Sequence, residues 1–113
     1  MSQNFITAIE LKELVDKGEV EVVDARDAHD YEHNHIPGAI NVPYGEDFVK
    51  NLTEIYPDKD TIIVIHVEIT ESEKYGKPYE ELVGLGYTNA KLLEDGFRSW
   101  LDAGYPLEFG AGS

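Results

Sequence analysis

Apolar residues along this chain fall into two rhythms, short unbroken runs and longer stretches at helical spacing, and their alternation predicts strands separated by helices. Thr7 followed by Glu10 has the form of a capping box; Ile9, Leu14 and Val15 give the helix behind it an apolar side, and Gly18 is its stop. Val20 to Val23 form the first clear strand and lead into Asp24, where a parallel strand would emerge at the carboxyl edge of a sheet. A short polar run with Asp27, Asp30, Tyr31 and Glu32 can make a few helical turns. His35-Ile36-Pro37-Gly38 then stops it, because Pro37 cannot donate a hydrogen bond and Gly38 tolerates positive φ. Ala39 to Pro43 reads as a brief strand closed by proline.

From Gly45 to Tyr56, the positions of Phe48, Val49, Leu52, Ile55 and Tyr56 predict a helix, broken at Pro57-Asp58. Thr61 to Ile65 is an unbroken β-branched run, the mark of a strand buried on both faces at the centre of a parallel sheet, with His66 and Val67 at its exit. A polar, acidic stretch from Val67 to Lys77 precedes a helix containing Tyr79, Leu82 and Val83. Ser72 could cap that helix, but Pro78 would then interrupt it, so a later start with Pro78 near the first turn costs less. Gly84 and Gly86 end it, Ala90 to Leu93 form a short strand, and Phe97, Trp100 and Leu101 give a last helix its apolar stripe, with Pro106 beyond. Buried strands alternating with amphipathic helices predict an α/β fold: a doubly wound, mostly parallel five-stranded sheet with helices on both faces.

With 113 residues the chain is long enough for one domain with a modest core and too short for two. Nine basic against 23 acidic side chains give a net charge of −14, which repels phosphate backbones and anionic membrane surfaces, so neither nucleic acid nor membrane is expected as a partner. The acidity is what a solvated surface requires and names no ligand. The absence of cysteine excludes disulfides, thiolate metal sites and thiol catalysis. No long apolar run or basic-apolar leader is present, so a cytoplasmic location is the default expectation. A monomer is expected. Asn51-Leu52-Thr53 has the form of a glycosylation sequon but reads as ordinary helix sequence.

Asp24, Arg26, the run His35-Ile36-Pro37-Gly38-Ala39-Ile40-Asn41 and Pro43 resemble the hallmark of rhodanese-homology domains. Gly86-Tyr87, Leu93-Glu94-Asp95-Gly96-Phe97, Trp100 and Ala103-Gly104-Tyr105-Pro106 resemble the family's closing strand and helix. The likeness covers almost the whole chain and implies one rhodanese-like domain over residues 1–109, with 110–113 a flexible tail, natural or added in cloning. It also implies that an active member would carry a persulfide on a cysteine directly after the central strand, held by the inward N–H groups of a short loop.

Val67 stands at that position, and a valine can neither ionise nor form a persulfide. The active-site-like loop implied by the resemblance comprises His66, Val67, Glu68, Ile69, Thr70, Glu71, Ser72 and Glu73. Ser72 falls where sulfurtransferases often carry arginine, and Glu73 where the related phosphatases and arsenate reductases do. The three loop glutamates would oppose an anionic substrate. The loop also reads longer than the sulfurtransferase form, and His66 before the missing cysteine resembles the phosphatase-like branch. By resemblance, Asp24, Arg26, His35 and Gly38 are structural, Asp24 and Arg26 forming an ion pair that braces the turn.

His29 and His33, four apart and near Asp30 and Glu32, suggest a metal site, but with His35 assigned to the turn they read as a solvated helix surface, and neither metal nor cofactor is expected. Tyr31, Tyr44, Phe97 and Trp100 read as core rather than pocket lining. Two functions remain. One is a non-catalytic binding or regulatory module whose Val67 loop takes a protein or small molecule. The other is a thiosulfate or persulfide sulfurtransferase whose cysteine was replaced or whose function moved elsewhere, or a phosphatase- or arsenate-reductase-like relative.

Overall fold

The computed structural model describes residues 5–67 and 77–110. Five strands, β1 (Phe5–Ile6), β2 (Glu21–Asp24), β3 (Ile40–Asn41), β4 (Ile63–His66) and β5 (Ala90–Leu93), alternate with α1 (Ala8–Lys17), α2 (Ala28–His33), α3 (Phe48–Ile55), α4 (Lys77–Gly84) and α5 (Gly96–Asp102). The sheet runs β1-β5-β4-β2-β3. Every neighbouring pair is parallel, so the sheet is wholly rather than mostly parallel. The strand not located from sequence is β1. At two residues it is too short to show a period, and it is fixed by pairing Phe5 with Leu92 and Ile6 with Leu93.

The strands read as solid apolar runs because both faces are covered. Val23, Ile63, Ile65, Ala90 and Leu92 face one layer with Phe48 and Leu52 of α3 and Tyr79 and Leu82 of α4. Val22, Val64 and Leu93 face the other with Leu11 of α1, Tyr31 of α2, and Phe97 and Trp100 of α5. The capping box forms as expected: Glu10 N–H donates to Thr7 Oγ1 at 3.1 Å and Thr7 N–H to Glu10 Oε1 at 3.0 Å. Gly18 closes α1 with φ +67°. Pro78 stands second in α4, within the first turn. The sequon lies in α3, where Leu52 is fully buried, so it is helix sequence.

The chain order places the site. From β2 the chain passes through α2 to β3 on one side, whereas from β4 it passes through α4 to β5 on the other. Adjacent strands whose onward connections leave in opposite directions open a crevice at their carboxyl ends, which is where open α/β sheets bind and react. Here those ends are Asp24 and His66, paired in register.

Candidate functional site

One rung of the sheet carries the polar residues of this crevice: Asn41 pairs with Asp24, and Asp24 with His66. The Asp24 carboxylate, fully buried, accepts from Arg26 Nε at 3.0 Å and Nη2 at 2.8 Å, and from the Arg26 backbone N–H at 2.9 Å. Two parallel N–H···O bonds from a planar guanidinium, plus a backbone donor, satisfy the carboxylate in the one geometry that makes a buried ion pair tolerable. Burial alone would push the Asp24 carboxyl up, but the charge that His66 takes on at acid pH, the charge of Arg26 and the hydrogen bonds from Arg26 outweigh it and hold the carboxyl below its ordinary value. Arg26 also donates through Nη2 to Asn34 O at 2.6 Å and lies over the Phe97 ring at 3.9 Å. The guanidinium thus joins strand end, turn and α5.

The turn is bound as tightly. Asn41 Nδ2 donates to Asp24 O at 3.0 Å and Arg26 O at 2.9 Å, so β3 is tied to the chain leaving β2 by a side chain as well as by the ladder. Tyr31 OH donates to Ala39 O at 2.6 Å, and the Tyr31 ring stacks on His35 with centroids 3.8 Å apart. His35 Nδ1 lies 2.8 Å from Tyr31 O. Gly38 has φ +82°, the positive φ expected of it, and its N–H donates to Glu108 Oε1 at 3.0 Å. A Cβ built at Gly38 would meet no atom within 4 Å, so the requirement for glycine comes from the backbone angle and not from crowding.

Across the crevice the arrangement differs. His66 is completely buried, stacked on Phe97 at 5.5 Å, with Nε2 3.8 Å from Asp24 Oδ2, and neither ring nitrogen has a hydrogen-bond partner among the described residues. Burial pushes its imidazole down to about 4; Asp24 opposes this, and Arg26 and His35 add to it. It is therefore neutral at pH 7. Val67 is 5% exposed and belongs to the apolar cluster that also holds Ala25, Val42 and Tyr79. The position at which the resemblance places a nucleophile is thus packed as core. Glu68, Ile69, Thr70, Glu71, Ser72 and Glu73 lie outside the described residues.

The structure brings Asp24, Arg26, His35 and Gly38 together around one turn, and His66 beside Asp24. It does not gather the histidines. His29 and His33 are exposed on α2 while His35 is turned inward, and among the described residues no group of three or more His, Asp or Glu is placed to hold a metal ion. Tyr31, Phe97 and Trp100 are core, but Tyr44 is only half-buried and donates from its hydroxyl to Glu81 Oε2 at 2.6 Å. Sequence reasoning gave no role to Asn41, Asn34 or Glu108. Asn41 sat inside the recognised motif without one. Glu108 carried no signal, since its bond to Gly38 spans 70 residues.

With this geometry in place, comparison with known proteins is decisive for kinship. A family model described as Rhodanese-like domain matches residues 7–103, and the chain belongs to that family. It is 32% identical over 113 residues to the Mycobacterium tuberculosis protein named HTH-type transcriptional regulator Rv0324, covering 96% of this chain and 46% of that protein. This chain therefore spans less than half the length of that relative. It is 29% identical over 103 residues to the Escherichia coli (strain K12) protein named Uncharacterized protein YibN, covering 90% of this chain and 70% of that one. Among solved structures, the thiosulfate sulfurtransferase from Pseudomonas aeruginosa superposes with a TM-score of 0.82 at 28% identity, over 96% of this chain and 20% of that one. The Alr3790 protein from Anabaena sp. gives 0.80 at 25% identity, over 92% and 81%. The domain is of sulfurtransferase ancestry.

Proposed function

We propose that this chain is a rhodanese-like domain without sulfurtransfer catalysis, which acts as a binding or regulatory module through the carboxyl-edge crevice and the Val67 loop. The observation that carries this reading is Val67: an apolar side chain, packed into the core, at the end of β4 in a chain that has no cysteine. Persulfide transfer requires a thiolate that attacks the outer sulfur of thiosulfate, releases sulfite and then yields its sulfur to cyanide or a thiol. Valine has no lone pair with which to begin. His66, the neighbouring polar group, is enclosed on all sides and offers no exposed nucleophile.

The retained brace argues for a scaffold kept in shape for another use. The sequence of the loop suggests what that use favours: Glu68, Glu71 and Glu73 repel an anion and attract a cationic group or a basic protein surface. That a relative sharing this domain is named a transcriptional regulator supports a regulatory role. A second reading, a sulfurtransferase whose nucleophile was replaced, is favoured by the likeness to the Pseudomonas aeruginosa enzyme.

A cyanide-dependent thiocyanate assay on the purified chain beside Val67→Cys separates them. Cysteine is slightly smaller than valine, so the variant should fold. The unaltered chain is expected at background. Turnover restored in the variant would favour the second reading, and an inert variant the first. Turnover by the unaltered chain, scaling with its concentration across independent preparations, would overturn both.

A further inference from the structure

His35 Nδ1 faces Tyr31 O at 2.8 Å, and a carbonyl oxygen can only accept, so the hydrogen must sit on Nδ1. In the neutral ring this leaves Nε2 as a lone pair. That nitrogen is completely buried, has no hydrogen-bond partner among the described residues, and faces Glu108 Oε1 at 3.6 Å. Glu108 Oε1 is itself an acceptor, taking the Gly38 N–H at 3.0 Å. Two acceptors are therefore turned towards each other, and a proton on Nε2 converts this opposition into a charge-assisted pair.

The pair sits where the C-terminal segment is strapped to the turn. His35 N–H donates to Glu108 O at 2.9 Å and Glu108 N–H to His35 O at 2.8 Å, forming an isolated antiparallel bridge. Gly110 N–H donates to Glu32 O at 2.7 Å, and Trp100 Nε1 to Pro106 O at 2.8 Å. Tyr105 and Leu107 pack on the α1/α5 face of the core. We propose that His35 and Glu108 are a proton-operated clasp, in which uptake of a proton on His35 Nε2 tightens the segment Tyr105 to Gly110 onto the His35–Gly38 turn and its loss loosens that segment.

The other groups around His35 do not supply this response. Tyr31 of α2 stacks on the ring and gives its backbone carbonyl. His66 of β4 stays neutral down to about pH 4, and Asp24 and Arg26 at the end of β2 neutralise each other as an ion pair. Among the described residues, Glu108 is the half-exposed carboxylate against the ring, with a side chain 42% exposed.

The test uses the intact chain, with side-chain ¹⁵N NMR of the histidines and amide exchange corrected for its intrinsic pH dependence. At high pH the His35 signals should be those of the Nδ1–H tautomer, with a hydrogen appearing on Nε2 on acidification. Together with that change, exchange at Glu108, Gly38 and Gly110 should slow by about threefold, the scale of a part-exposed ion pair. Glu108→Gln, at an exposed position, should keep the fold and remove this pH response while leaving the tautomer unchanged. An Nε2–H tautomer at high pH would overturn the proposal. So would exchange at these amides that is indifferent to the His35 titration, or a response that persists in Glu108→Gln.

Discussion

The two banks of the crevice between β2 and β4 are built on different rules. On the β2 bank nearly every polar atom is engaged: Asp24 with Arg26, Arg26 with Asn34, Asn41 with two carbonyls, Tyr31 with Ala39. On the β4 bank a valine fills the position of a nucleophile, and a histidine beside it has both ring nitrogens buried and without a hydrogen-bond partner among the described residues. Nothing in the β2 bank depends on chemistry at Val67, so the brace holds whether or not the domain reacts. Architecture and reactivity are separable here, and the first of the two motifs that make the family recognisable is the brace itself.

Removing the centre of the brace should have the largest effect. Asp24→Ala leaves the Arg26 guanidinium buried at 6% exposure without its carboxylate, and a broken buried pair costs about 3–5 kcal/mol. Urea denaturation at pH 7 measures this. A loss below about 1 kcal/mol would mean that the guanidinium finds solvent and the bank is not rigid.

Acidification tests the two banks together, and the signs agree. The His66 imidazole is held at about 4 in the folded state against 6.5 for an unperturbed histidine, so the unfolded chain takes up a proton first and stability falls as pH drops from about 6.5 to about 4. The depressed Asp24 carboxyl contributes stability that is present above the ordinary carboxylate range and lost as pH falls further. For His66 alone the loss is on the order of 3 kcal/mol. His66→Leu removes both orphaned nitrogens at similar volume and should flatten the limb above pH 4. A variant with the same slope as the parent would show that His66 is not its source.

Gly38→Val should cost less, about 1–3 kcal/mol, because it forces a β-branched residue to φ +82° in otherwise open space. Denaturation showing a loss under about half a kcal/mol would mean that the turn relaxes out of positive φ and is less tightly held than the bonds around it imply.

How much of this was readable in the sequence follows from how local each determinant is. The capping box at Thr7, the stop at Gly18 and the turn at Gly38 are each written within a few residues, and the Asp24–Arg26 pair that the resemblance implied is as local; all form. The order of buried runs and helical stripes gave the layered α/β architecture. Strand β1 was not located because two residues carry no period and its pairing with β5 is set some 87 positions away. Glu108 was missed for the same reason, as its partners His35 and Gly38 are distant in sequence. Tyr44 was assigned to core because spacing reports a helical or strand face and not how far a loop side chain leans out. Asp24 and His66 both stood at strand exits in the sequence, but their adjacency is a matter of strand order, and β2 and β4 are neighbours only because the chain doubles back after β3.

The smallest expected effect compares two hydroxyl bonds of equal length in different settings. Tyr31 OH to Ala39 O and Tyr44 OH to Glu81 Oε2 are both 2.6 Å. Tyr31 is 6% exposed, so Tyr31→Phe leaves a buried carbonyl without its donor, and the loss should be about 1–1.5 kcal/mol. The Tyr44 bond is exposed. It is the main reason the Tyr44 phenol is raised to about 12, with burial and the charges of Glu81 and Glu80 adding to it. Water can replace that hydroxyl at Glu81, so Tyr44→Phe should change stability by less than about 0.5 kcal/mol. Paired denaturation curves decide the point. If Tyr44→Phe costs as much as Tyr31→Phe, the link between the loop after β3 and α4 is as rigid as the brace, and the asymmetry between the two banks does not extend beyond the residues of the rung itself.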